Sequence, residues 1–180
     1  MNICLIGYRC TGKTSVGRML AEQLGWRFID TDQHIVEKAG RSISELVAAH
    51  GWEFFRQKEK QALTELNAHD QLVLATGGGI ILDPANLAIL KDDKNFVIWL
   101  QASFQTIFNR MTNDAQTTAS RPSLTDSSLL EEIKDTLTGR IPYYESAADL
   151  IVNTENQSIE VISRQIIKKI EETHVRKYIR

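Results

Sequence analysis

Cysteine is scarce in this sequence: Cys4 and Cys10 are the only two among 180 residues. Both sit near the amino terminus, where they cannot staple the chain, and their spacing matches no ordinary zinc pattern. A reducing compartment is the simplest context. His34, His50, His69 and His174 form no ligand spacing, and Trp26, Trp52 and Trp99 read as packing residues rather than a stacking platform. Net charge is also small. Lys plus Arg is 21 against 23 for Asp plus Glu, leaving −2, which gives no global footprint for nucleic acid or anionic lipid. No apolar run approaches the roughly 20 residues of a membrane span, and Met1 to Gly7 lacks the basic start of a signal peptide. The expectation is a cytoplasmic monomer with no targeting segment and neither nucleic acid nor membrane as partner. Internal repeats and low-complexity tracts are absent too, which argues against an array.

What is present fits one domain over residues 1–180. Hydrophobic residues make up 42% and charged residues 24%, close to globular averages, and a chain of this length buries roughly 70% of its unfolded surface. Asn2 to Ile6 is a short apolar run that breaks into glycine, after which Val16, Met19, Leu20 and Leu24 recur at helical spacing up to Gly25. Arg27 to Asp30 is a second strand candidate, followed by a helix through Ile35, Val36 and Ala39 to Gly40. Ser42 or Ser44 can cap the next, which carries Leu46 and Val47 and stops near Gly51. Trp52 to His69 places Phe55, Ala62, Leu63 and Leu66 on one helical face. Leu72 to Ala75, Phe96 to Leu100 and Leu150 to Val152 complete a set of about five short strands alternating with helices, the pattern of an α/β fold with a parallel sheet covered on both faces.

Thr112 to Thr125 is rich in Thr, Ser, Asn, Asp and Gln and reads as a long surface loop, uncommon unless functional. Asp126 can cap the helix that follows through Leu129, Leu130, Ile133 and Leu137, and Pro142 limits its regularity. A last helix, about Ile159 to Glu172, leads into a solvated tail over residues 173–180.

Gly7-Tyr8-Arg9-Cys10-Thr11-Gly12-Lys13-Thr14 matches G-x-x-x-x-G-K-[ST] between a strand and an amphipathic helix, the context that motif requires. Backbone N–H groups of the loop face a phosphate, Lys13 neutralises β- and γ-phosphate charge, and the Thr14 hydroxyl reaches Mg²⁺. Cys10 occupies a free position of the loop, and Cys4 belongs to the core. No N-K-x-D guanine signature occurs, which favours ATP.

Asp30-Thr31-Asp32 follows the second strand at the edge where ligands of parallel sheets bind. One carboxylate can orient Mg²⁺ and the other can hold a substrate hydroxyl in line and take its proton; helix capping by either is the competing reading. Arg56, beside Phe54 and Phe55 and buttressed by Glu59 one turn on, suits bidentate binding of a carboxylate, against the alternative of a solvated ion pair. Gly77, Gly78 and Gly79 supply bare N–H groups at the same edge, or form a plain loop. Arg121, inside the polar loop and followed by Pro122, suits an arginine that closes over transferring phosphate. Arg140 complements a helix dipole in the simplest reading.

Taken together, GYRCTGKT, FIDTD, GWEFFR, ATGGG, SRPSL and GRIPYYESAADLIVNT resemble, in order and over about residues 1–155, the shikimate kinase family of small P-loop metabolite kinases. The resemblance implies a five-stranded parallel sheet in the order 2-3-1-4-5 and a mobile lid over 112–125. It also implies transfer of the ATP γ-phosphate to the 3-hydroxyl of shikimate, a step toward chorismate and aromatic amino acids. By the same resemblance Gly7, Gly12, Lys13, Thr14 and Ser15 bind nucleotide phosphates, and Asp30 joins Thr14 in the metal shell. Asp32 meets the shikimate hydroxyls as base, within an acceptor-binding helical region over 31–62. Arg56 and Arg140 grip the shikimate carboxylate, Gly77 to Gly79 line that site, Arg121 is the lid arginine, and Arg110 lies against adenine. Ser123 and Cys10 depart from the usual aliphatic and small residues. A gluconate kinase of similar fold, and an ATP-binding regulator without turnover, are the rival readings.

Overall fold

The computed structural model of the chain describes residues 1–113 and 128–178, with side chains described as far as Thr173. Five strands form one parallel sheet in the order β2-β3-β1-β4-β5, as the resemblance implies. They are β1 (Asn2–Ile6), β2 (Arg27–Asp30), β3 (Leu72–Ala75), β4 (Asn95–Gln101) and β5 (Leu150–Asn153). The helices between them are α1 (Lys13–Leu24), α2 (Thr31–Ala39), α3 (Ile43–Leu66), α4 (Pro84–Leu90), α5 (Phe104–Asn113), α6 (Leu129–Ala147) and α7 (Ile159–Tyr178), with a 3-10 turn at Ile80–Leu82.

The period of two along a strand sorts β1 into the two halves of the core. Ile3 and Leu5 pack with Val16 and Leu20 of α1 and Ile162 and Ile166 of α7. Cys4 and Ile6 face the other way, into Leu63, Ile81, Trp99 and Ile133. Burial pushes the Cys4 thiol up to about 12, with Asp149 adding to the effect, so this cysteine is an inert core residue. Connections from β1 and β3 run over opposite faces, because α1 covers one and α4 the other. Between those two neighbouring strands the sheet therefore has its switch point, where open α/β folds bind ligands. Register aligns the exits: Leu5 pairs with Ala75, and Ala75 with Asp30.

Ser42, not Ser44, starts α3, and the capping box is complete: its hydroxyl accepts from the Glu45 N–H while the Glu45 carboxylate accepts from the Ser42 N–H. Gly51, at φ 80 and ψ 170, breaks the helical path where the sequence predicts a stop, and the second segment ends at Leu66 rather than His69. This bend gives α2 and α3 a small core of their own around Ile35, Leu46, Phe55 and Ala62.

Two further helix boundaries differ from expectation. The N-cap of α6 is Ser128, whose side chain accepts from the Glu131 N–H, in place of Asp126, which lies outside the described residues. The same helix runs through Pro142; the carbonyl deprived of its N–H partner belongs to Thr138, on an exposed face, where water can serve it. α7 continues to Tyr178, past the predicted end at Glu172.

Candidate active site

At the carboxyl end of β1 the chain turns at Gly7, with φ 138, where an added Cβ would lie 2.5 Å from the Leu100 carbonyl oxygen. Only glycine fits that combination of angle and contact. Lys13 is 9% exposed, and its ammonium donates back to the carbonyls of Gly7 at 2.8 Å and Tyr8 at 2.6 Å. The Thr11 hydroxyl donates to the Tyr8 carbonyl as well. α1 then starts with no side-chain cap and no acid in its first turn, which leaves its first N–H groups and positive dipole end for an anion. Cys10 takes a left-handed φ of 59, a conformation that glycine adopts most readily.

The Asp30 carboxylate does two things at once. One oxygen caps α2, accepting from the N–H groups of Asp32 at 3.1 Å and Gln33 at 3.4 Å. The other accepts from the Thr14 hydroxyl at 2.9 Å. Asp30 thus caps α2, the competing reading of the sequence, and with its other oxygen reaches the phosphate loop. Asp32 itself is 7% exposed in the first turn of α2, where the helix dipole favours its negative charge. No group of three or more His, Cys, Asp or Glu side chains able to hold a metal occurs among the described residues.

A cavity at the switch point gathers Tyr8, Arg9, Asp32, Ile43, Trp52, Phe55, Arg56, Glu59, Gly77, Gly78, Gly79 and Arg140. The Gly77 N–H donates to the Thr31 hydroxyl at 3.1 Å, tying the exits of β2 and β3 together. A methyl at Gly77 would press on the carboxylates of Asp32 and Glu59, and one at Gly79 would press on the Arg56 guanidinium. The glycines therefore leave room for these charged groups. Arg56 donates to Glu59, which is 1% exposed at its side chain. Burial raises the Glu59 carboxyl above its ordinary value, and the Arg56 charge and hydrogen bond oppose that. The aromatic neighbours of Arg56 are Trp52, at 5.5 Å, and Phe55, at 5.8 Å. Phe54 lies instead against His50 and Lys58, and Trp52 is a cavity residue as well as a packing one.

Arg140 does more than complement a helix end. Its guanidinium donates to the Gly78 carbonyl at 3.1 Å, beside the Tyr144 hydroxyl, which donates to the same oxygen at 2.6 Å. Burial pushes the Tyr144 hydroxyl upward, keeping it a donor, and its ring stacks on Trp99 at 5.5 Å. The sequence reading missed Tyr8, Arg9, Glu132 and Tyr144. A signal was present for two of them: Glu132, Thr136, Arg140 and Tyr144 recur every four residues and so share one stripe of α6.

A second cavity lies across the loop, lined by Cys10, Thr11, Gly12, Ser15, Val16, Arg110, Thr154, Gln157, Ile159 and Ile162. Arg110 bridges its walls, donating to the Cys10 carbonyl at 3.1 Å, the Thr154 hydroxyl at 3.2 Å and the Thr154 carbonyl at 2.8 Å. Arg121 and Ser123, with all of the expected lid beyond Asn113, lie outside the described residues.

Comparison with known proteins gives one family. The shikimate kinase family model matches residues 9–171. A shikimate kinase of Syntrophus aciditrophicus is 40% identical over 178 residues, covering 94% of this chain and 91% of the relative. Among solved structures, a shikimate kinase from Acinetobacter baumannii in complex with shikimate superposes with a TM-score of 0.89 at 32% identity, covering 96% of this chain and 93% of that one. A gluconokinase from Sinorhizobium meliloti reaches a TM-score of 0.60 at 17% identity, covering 99% and 95%, a likeness of fold alone.

Proposed function

Because this chain belongs to the shikimate kinase family, we propose that it transfers the γ-phosphoryl group of ATP to the 3-hydroxyl of shikimate. The observation that carries this reading is a single cavity holding Asp32, Arg56 and Arg140 beside the loop of Lys13. An acid bearing several hydroxyls needs that combination: cations for its carboxylate and a carboxylate for its hydroxyls. In the proposal Arg56 and Arg140 bind the shikimate carboxylate, Asp32 receives the 3-hydroxyl proton, and Gly77, Gly78 and Gly79 line the acceptor. The new bond runs from the acceptor oxygen to Pγ as the bond from Pγ to the ADP bridging oxygen breaks.

On the nucleotide side, Lys13, the N–H groups from Gly7 to Ser15 and the start of α1 bind the phosphates, and Arg110 borders the base. Thr14 and Asp30 present two hard oxygen atoms 2.9 Å apart, which fits Mg²⁺, an ion that takes one or two protein oxygens plus phosphates and water. When bound, Mg²⁺ neutralises charge on the β- and γ-oxygens. Arg121 and the lid enter from the sequence alone, as does a single kinase domain over 1–180 with its acceptor region at 31–62. No helix among the described residues is long and apolar enough to cross a membrane. A cytoplasmic monomer acting on small molecules is part of the proposal.

Arg56→Ala tests the carboxylate role. Affinity for shikimate is expected to fall roughly 10- to 100-fold, the worth of charge-assisted hydrogen bonds, in calorimetric titration. An analogue lacking the carboxylate binds wild type and variant alike; equal losses for both ligands would sink the role. The variant also takes from buried Glu59 the larger of its two opposing charges, leaving that of Arg140, so its already raised pKa rises further. A carboxyl raised in the folded state favours folding while protonated. Stability of Arg56→Ala is thus retained in the acid range and lost as pH rises through the folded pKa, and adding Glu59→Gln removes that dependence.

A further inference from the structure

The acceptor cavity holds one more cation than the acid needs. Arg9 lines it alongside Arg56 and Arg140, and its guanidinium donates to Glu132 of α6. The side chains of this pair are 10% and 0% exposed. The Arg9 Nε–H is buried and has no hydrogen-bond partner among the described residues, so a donor stands ready for an acceptor that those residues do not supply. A buried ion pair adds little stability over apolar residues of similar volume, so folding alone does not call for this one.

Its place in the loop suggests the acceptor. Tyr8 and Arg9 line the cavity with Asp32, whereas Cys10, Thr11 and Gly12 line the one across the loop. Arg9 is therefore the last loop side chain on the acceptor side of the path a phosphoryl group takes. It shares a platform with Arg140, since the two guanidinium carbons lie 5.6 Å and 5.9 Å from the centre of the Tyr8 ring. Transfer brings a phosphate dianion into a pocket already carrying the carboxylates of Asp32 and Glu59, and in the proposed function Arg56 and Arg140 are occupied by the acid.

We propose that Arg9 contacts the transferring phosphoryl group from the acceptor side and holds it as the product phosphate, with buried Glu132 as the positioning residue that fixes the guanidinium. The inference rests on the acceptor assignment above and adds a residue to it.

The test compares shikimate with shikimate 3-phosphate, titrated by calorimetry into wild type, Arg9→Lys and the double variant Arg9→Met/Glu132→Met. The double variant removes both charges, so no buried carboxylate is stranded. Its affinity for shikimate 3-phosphate is expected to fall roughly 10- to 100-fold while that for shikimate stays within about threefold. The kcat should fall with little change in the KM for shikimate. Arg9→Lys, which keeps the charge, should recover part of the product affinity. Equal changes for the two ligands, or none, would overturn the role. Failure of wild type to bind either compound would instead defeat the acceptor assignment on which the role depends.

Discussion

Lys13→Met lowers kcat by about 10³-fold or more, the scale on which a preorganised charge at a developing anion acts. Methionine keeps the length and the apolar stem of lysine, so the substitution removes the ammonium and little else. That ammonium donates to the carbonyls of Gly7 and Tyr8, which draws the loop around the point where a γ-phosphate would sit. Loss of the charge thus acts twice. It strips a cation from the transferring group, and it takes a donor from the Gly7 carbonyl and one of two donors from the Tyr8 carbonyl, which keeps the Thr11 hydroxyl. A drop in stability of about 1–3 kcal/mol should accompany the kinetic loss, seen as a lower midpoint in denaturant. A variant with kcat within tenfold of wild type would contradict the role, whatever its stability.

Asp32→Asn lowers kcat by about 10²- to 10⁴-fold with a smaller change in the KM for shikimate, because positioned proton acceptors contribute on that scale. Asparagine preserves size and one acceptor oxygen, exchanges the other for an N–H donor, and cannot take the hydroxyl proton at neutral pH. Asp32 lies in the first turn of α2, whose cap is made by Asp30 rather than by Asp32 itself. Capping is therefore intact in the variant, and folding stability should stay close to wild type. Single-turnover kinetics with saturating shikimate separate the two roles. A defect confined to KM would mean that Asp32 orients the hydroxyl and leaves its proton to another group.

How far the sequence carried depended on the range of the interaction. The strands, the phosphate loop and the capping of α2 and α3 are local, and period, glycine placement and Ser/Asp caps announce them. The sheet order came from resemblance to a family, since nothing in a set of short apolar runs says which strand lies next to which. Gly51 was legible because one residue with positive φ breaks a helix on its own. Pro142 misled, since whether a lost helical hydrogen bond matters depends on which face it lies on, and that is set by packing. The charged contacts of the cavity were the least legible. Arg9 and Glu132 stand 123 residues apart, and only the fold joins them. From local sequence Arg140 reads as a dipole partner, from resemblance as a carboxylate ligand, and only the fold joins it to the Gly78 carbonyl, 62 residues away. Arg56 was recognised with its partner Glu59 because that pair is one helical turn apart, yet its aromatic neighbour on the preceding turn proved to be Trp52 rather than Phe54.

Fold alone does not choose the acceptor, as the likeness to a gluconokinase makes plain. The choice rests on two arginines and an aspartate in one cavity. The direct measurement is ADP release from MgATP with shikimate, with gluconate and with no acceptor, each reaction checked by mass for a phosphorylated product. Shikimate phosphate formed with shikimate alone, and no ADP above background in the other two, is the result expected. Binding of ATP without any shikimate phosphate would contradict the account.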